Sequence, residues 1–148
     1  HEPSVEEARK HAVAHGVGDR VRFEAAKAKD IQETDFDLVT SFDCLHDMGD
    51  PRGCAAHMRR ILKEDGTWMI VEPIAGDRAK DNMNPVGRLY YNASTMICVP
   101  TSLDQEVGEG LGAQAGEAKL TDVIRAGGFT RVRRATEGPF NMVLEARA

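Results

Sequence analysis

The residues best suited to chemistry gather in one short stretch, Cys44-Leu45-His46-Asp47-Met48-Gly49-Asp50. An imidazole has an unperturbed pKa close to working pH, so His46 is the natural candidate to take a proton from a reacting group. The plainer alternative is that His46 only packs within its loop. Asp47 beside it either orients that loop or serves as an ordinary turn residue. Cys44 and His46, together with Cys54 and His57, also offer two thiols and two imidazoles, the donor types of a zinc site. Cys54 and His57 fall on a helix whose core face already accounts for them, and the spacing is not that of compact zinc motifs. No metal site is expected. A second concentration lies in residues 77–116, around Leu89-Tyr90-Tyr91-Asn92-Ala93-Ser94-Thr95-Met96. Arg88, Tyr90, Tyr91 and Met96 could hold a flat or apolar small molecule, with Asn92 or Gln114 fixing its polar end. Against this, Leu89, Tyr90, Ala93 and Met96 could simply be the inner stripe of one helix.

These groups need elements to position them. A helix is expected from Pro3 to Ala12, with Pro and acidic residues at its start and Gly16 as its stop. The alternation in Val21-Arg22-Phe23-Glu24-Ala25 predicts a strand. Phe36–Phe42 is apolar enough for a central parallel strand. Pro51 opens a helix with Ala55, Met58, Ile61 and Leu62 facing inward, and Asp65-Gly66 turns the chain into a strand over Thr67–Glu72. Residues 117–126 read as an amphipathic helix stopped by Gly127-Gly128. Phe129–Ala135 and Phe140–Ala146, joined by Glu137-Gly138-Pro139, predict a closing antiparallel hairpin. The pattern is α/β. Residues 77–116 interrupt it with a Gly-, Asn- and Pro-rich insertion, long enough to be a lid.

Composition narrows the function. The 148 residues fit one domain, and 19 basic against 24 acidic side chains leave a net charge of −5, no basis for nucleic-acid contact. No stretch approaches the roughly 20 apolar residues that span a bilayer. Three cysteines form no disulfide framework, and a reducing cytoplasm is the expected setting.

Phe36-Asp37-Leu38-Val39, the loop from Leu45 to Pro51, Leu62-Lys63-Glu64-Asp65-Gly66-Thr67 and Ala126-Gly127-Gly128-Phe129 together resemble class I S-adenosylmethionine-dependent methyltransferases. The resemblance runs over nearly the whole chain. Cys44–Asp50 is similar to the loop of small-molecule hydroxyl O-methyltransferases. Asn84–Tyr91 resembles bacterial proteins that join a winged helix to a methyltransferase domain. The resemblance implies a partial Rossmann-like sheet, the family's strands three to seven, with an antiparallel C-terminal hairpin and a helical lid at about 77–116. It implies S-adenosyl-L-methionine as cofactor, Ala26, Lys27 and Ala28 beside its adenine, and Ser41, Phe42 and Asp43 beside its amino-acid moiety. The family often carries Asp where this chain has Lys27. His46 falls where the O-methyltransferases have their general base. Glu72 would support its ring, or else be a strand-end carboxylate facing solvent or holding the lid.

The family's glycine-rich loop and the acidic residue ending its second strand would precede His1. The 148 residues therefore resemble the C-terminal part of a single methyltransferase domain, and alone are expected to be inactive. They are also expected to be unstable, to form a homodimer, or to pair their strands non-natively, because residues 21–26 would lack their neighbouring strand. The expected activity is methyl transfer to a small-molecule acceptor, with O-methylation ahead of N- or C-methylation. A non-catalytic ligand-sensing or assembly module is the rival. A nicotinamide oxidoreductase is disfavoured, since neither Tyr90 nor Tyr91 is followed by a Lys four positions on.

Overall fold

The computed structural model describes residues 1–148, which divide into two compact units, His1–Gln32 and Glu33–Ala148. The first is built on helix α1 (Glu2–Ala14), which begins with Glu2 and Pro3 in its first turn. Gly16 then turns the chain at φ +66°, a conformation glycine adopts without steric cost. Residues 21–25 do not form the expected strand; only a short 3-10 turn, Ala28–Asp30, follows. Alternation supplies the side-chain pattern of a strand, but a strand exists only through pairing, and this unit contains no second one. Arg9 instead donates to the Phe23 carbonyl at 2.9 Å.

The second unit contains β1 (Phe36–Phe42), α2 (Pro51–Ile61), β2 (Leu62–Pro73), α3 (Pro85–Ala93), α4 (Val99–Leu103), α5 (Gly116–Ala126), β3 (Arg131–Glu137) and β4 (Asn141–Arg147). The sheet order is β1-β2-β4-β3, so four of the five expected strands form it. β1 runs parallel to β2, while β4 is antiparallel to both β2 and β3. The hairpin lies where the Gly138 turn placed it.

Strand periodicity sorts β2 into two faces. Trp68, Ile70 and Glu72 are buried, as are Met142, Leu144 and Ala146 of β4. Ile70 lies opposite Ser41 on one side and Leu144 on the other. Trp68 meets the Phe129 ring at 5.5 Å, and its indole N–H donates to Ser41 Oγ at 2.9 Å. Glu72 is therefore a carboxylate at a core register position, which demands partners.

Asp50 caps α2 by accepting from the Gly53 amide at 2.8 Å, and Pro51 fills its first turn. Cys54, Ala55, Met58 and Ile61 form its buried face; Leu120, Val123 and Ile124 do so on α5, which packs against it. The two helices meet closely at Gly127, where a Cβ would lie 2.5 Å from the Ala55 carbonyl carbon. Residues 77–116 are helical in their middle. α3, a π-helical turn at Ser94–Cys98 and α4 follow one another without a break. No helix is long and apolar enough to cross a membrane.

Candidate active site

β1 and β2 end on the same side of the sheet, at Phe42 and Pro73. The carboxyl ends of parallel strands are where open α/β sheets leave a crevice for ligands. Asp43 reverses the chain there at φ +45°, a left-handed conformation that Asp tolerates better than most residues. Its amide donates to the Val71 carbonyl at 2.8 Å, and its Oδ1 accepts from Asn141 Nδ2 at 2.7 Å. The reversal leads directly into the 3-10 turn Leu45–Asp47.

Glu72 holds that turn. Its Oε1 accepts from the amides of Cys44 at 3.2 Å and Leu45 at 2.8 Å, while Oε2 lies 2.5 Å from His46 Nδ1. His46 is 5% exposed and Glu72 1%. Three N–H donors make a carboxylate tolerable at this depth. With its proton on Nδ1, directed at Glu72, the ring presents the Nε2 lone pair on its other side. Nε2 lies 3.3 Å from Asp47 Oδ1. Burial disfavours the imidazolium, but the Glu72 hydrogen bond and charge, with the charges of Asp47 and Asp43, outweigh it. The pKa of His46 stands above the ordinary imidazole value.

The lid is stitched to this turn. Ser102 Oγ donates to the Met48 carbonyl at 2.7 Å and accepts from the Gly110 amide at 3.0 Å. Gln105 donates to the Asp47 carbonyl at 2.9 Å and accepts from the Gly49 amide at 3.1 Å. The Gly112 amide donates to the His46 carbonyl at 3.2 Å. From the π-helical turn, buried Cys98 brings its sulfur to the His46–Asp47 pair. Burial and the Asp47 carboxylate push its thiol up to about 11. The Cys44 thiol is also raised, by burial first and then by the Glu72 charge.

The remaining candidates are placed as follows. Ser41 is occupied by Trp68, whereas Phe42 and Asp43 are exposed at the strand end. Ala26, Lys27 and Ala28 belong to the N-terminal unit, where Lys27 precedes the 3-10 turn. Among the lid residues, the Tyr90 hydroxyl donates to the Phe140 carbonyl at 2.9 Å, tying α3 to the hairpin. Asn92 donates to the Arg88 carbonyl within the helix at 2.8 Å. Arg88, Tyr91, Asn92 and Met96 are exposed. Arg88 and Tyr91 line a groove of about 460 Å³ with Met83 and Pro85, and His46 is not part of its wall. Gln114 carries a buried carboxamide oxygen with no protein donor, a group a ligand could satisfy. Ser102, Gln105 and Cys98 were not singled out from sequence. Their relation to residues 46–49 exists only after the lid folds back, and no local spacing signals it.

Known proteins supply the comparison. A family model described as a methyltransferase domain matches residues 1–128. A structure from Nostoc punctiforme PCC 73102 superposes with a TM-score of 0.73 at 19% identity, covering 97% of this chain and 41% of that one. The mitomycin 7-O-methyltransferase MmcR gives 0.71 at 19% identity, covering 99% and 40%. PigF with S-adenosylhomocysteine gives 0.71 at 15%, covering 95% and 39%. At these identities the likeness shows the fold, and the chain spans about 40% of the length of these neighbours.

Proposed function

This chain belongs to the methyltransferase domain family, and from that premise we propose that it serves S-adenosylmethionine-dependent methyl transfer to a hydroxyl of a small-molecule acceptor, with His46 as general base. The buried His46–Glu72 pair carries the proposal, because it fixes the tautomer whose Nε2 can accept a proton. The O-methyltransferase and the S-adenosylhomocysteine complex among the structural neighbours agree with it.

S-adenosylmethionine supplies an electrophilic methyl group when bound. The exposed Asp43 carboxylate at the end of β1 suits the ammonium of its amino-acid part, with Ser41 and Phe42 as backbone neighbours. Nε2 of His46 takes the acceptor's hydroxyl proton as the oxygen becomes nucleophilic. Glu72 stabilises the imidazolium so formed, and Asp47, 3.3 Å from Nε2, adds to that stabilisation. Gln114, and the lid residues Arg88, Tyr90, Tyr91, Asn92 and Met96, are proposed to border the acceptor, with Tyr90 acting through its tie to the hairpin. Because the chain spans about 40% of the length of its structural neighbours, these residues alone are proposed to be inactive.

The test supplies S-adenosylmethionine with a ¹³C-labelled methyl to the full encoded polypeptide together with phenolic and amine acceptors. Label on an acceptor oxygen supports the proposal. Label on nitrogen or carbon overturns the hydroxyl assignment. S-adenosylhomocysteine binding without transfer to any acceptor would favour the rival, a non-catalytic ligand-sensing or assembly module.

A further inference from the structure

Three unlike electron-pair donors converge at the catalytic turn. One ring nitrogen of His46, an Asp47 carboxylate oxygen and Cys98 Sγ all lie within 4.8 Å of one another. The imidazole–carboxylate separation is 3.3 Å. When His46 is neutral with its proton on Nδ1, two lone pairs face each other at that distance, and either a proton on Nε2 or a metal cation between them relieves the repulsion. In a tetrahedral zinc site with bonds of about 2.0–2.3 Å, ligand atoms stand roughly 3.3–3.8 Å apart. The His46–Asp47 pair already meets that spacing.

Two further features fit a metal. His46 holds its other nitrogen against Glu72, the carboxylate–histidine arrangement that orients metal-bound imidazoles. Cys98 sits in a π-helical turn, a local distortion found mostly where a helix does special work. We propose that His46, Asp47 and Cys98 form a three-donor site for a thiophilic divalent cation of the Zn²⁺ type, with one coordination position left open. Binding converts the Cys98 thiol to a thiolate, its proton passing to solvent. The donor set of imidazole, carboxylate and thiolate selects Zn²⁺ over Mg²⁺ or Ca²⁺, which require all-oxygen surroundings. Where His46 is the base, a bound ion occupies the lone pair that would take the proton, so occupancy switches methyl transfer off. That consequence rests on the function proposed above; the site itself does not.

Co²⁺ titration of the chelator-stripped protein tests the site without cofactor or acceptor. A thiolate-to-cobalt charge-transfer band saturating at one equivalent and displaced by Zn²⁺ is expected. Cys98→Ser should abolish the band, while Cys44→Ser and Cys54→Ser retain it. Glu72→Gln, which keeps all three ligands, should weaken binding by about 10–100-fold. Circular dichroism of each variant verifies that the fold is kept. No stoichiometric band, or a band that survives Cys98→Ser in a folded protein, overturns the proposal. Failure of methyl transfer leaves these optical outcomes unchanged, so the two proposals fail separately.

Discussion

Glu72 holds both the His46 ring and the turn that carries it: one carboxylate oxygen takes the ring Nδ1 at 2.5 Å, and the other takes the amide of Leu45 at 2.8 Å. The strand end and the turn that follows β1 are thereby locked in one geometry, 26 residues apart in sequence. The orientation of the ring depends on the charge state of one side chain.

Glu72→Gln tests this dependence. An amide N–H₂ in place of Oε2 turns Nδ1 into the acceptor and moves the ring proton to Nε2, where it blocks proton acceptance. ¹⁵N NMR of the imidazole should show the Nδ1–H form in the wild type and the Nε2–H form in the variant. Loss of the charged bond should cost about 1–3 kcal/mol of stability. An unchanged tautomer would separate Glu72 from the ring's orientation.

The raised pKa of His46 has a sign for both rate and stability. The folded pKa lies above the unfolded value, so the stabilising contribution is complete below the unfolded pKa and is lost as pH rises through the folded one. In chelator-treated buffer the melting temperature of wild type minus His46→Gln should therefore shrink as pH climbs above the ordinary histidine range. Turnover should rise over the same interval, because only neutral His46 accepts a proton. A rate midpoint below the ordinary histidine value would contradict the assignment.

Ser102 bridges the catalytic turn and the lid through the Met48 carbonyl and the Gly110 amide. Ser102→Ala strands both groups and should cost about 1–3 kcal/mol. Hydrogen exchange should accelerate at residues 45–50 and 110–113 before it does in β2. Uniform acceleration would mean that Ser102 serves the whole core instead.

Gly127→Ala places a Cβ 2.5 Å from the Ala55 carbonyl carbon, with an ordinary backbone conformation at residue 127. The clash forces α2 and α5 apart and should cost about 1–3 kcal/mol in urea unfolding. Gly138→Ala, where the nearest atom is 4.0 Å away, should change stability by less than about 0.5 kcal/mol.

The elements legible in the sequence are those with strong local signals. Pro51 and the inward face of α2, the Gly127-Gly128 stop after α5 and the Gly138 hairpin all form within a few residues of expectation. β2 begins earlier than Asp65-Gly66 suggested, at Leu62, because pairing with Phe36 of β1 carries the strand through the supposed turn. Residues 21–25 have strand alternation without a strand, since pairing is not a local property. Tyr90 and Met96 read alike as aromatic and apolar lid residues. One is tethered to the hairpin and the other is 78% exposed, because lid packing decides which side of a helix turns inward. Cys98 was unremarkable until the π-helical turn brought it to residues 46 and 47.

The most direct measurement is turnover of His46→Gln in the full encoded polypeptide, with S-adenosylhomocysteine affinity measured alongside. The account predicts that kcat falls by about 10²–10⁴-fold while the affinity is unchanged. Wild-type turnover in that variant would contradict it and leave His46 as a residue that only packs its loop.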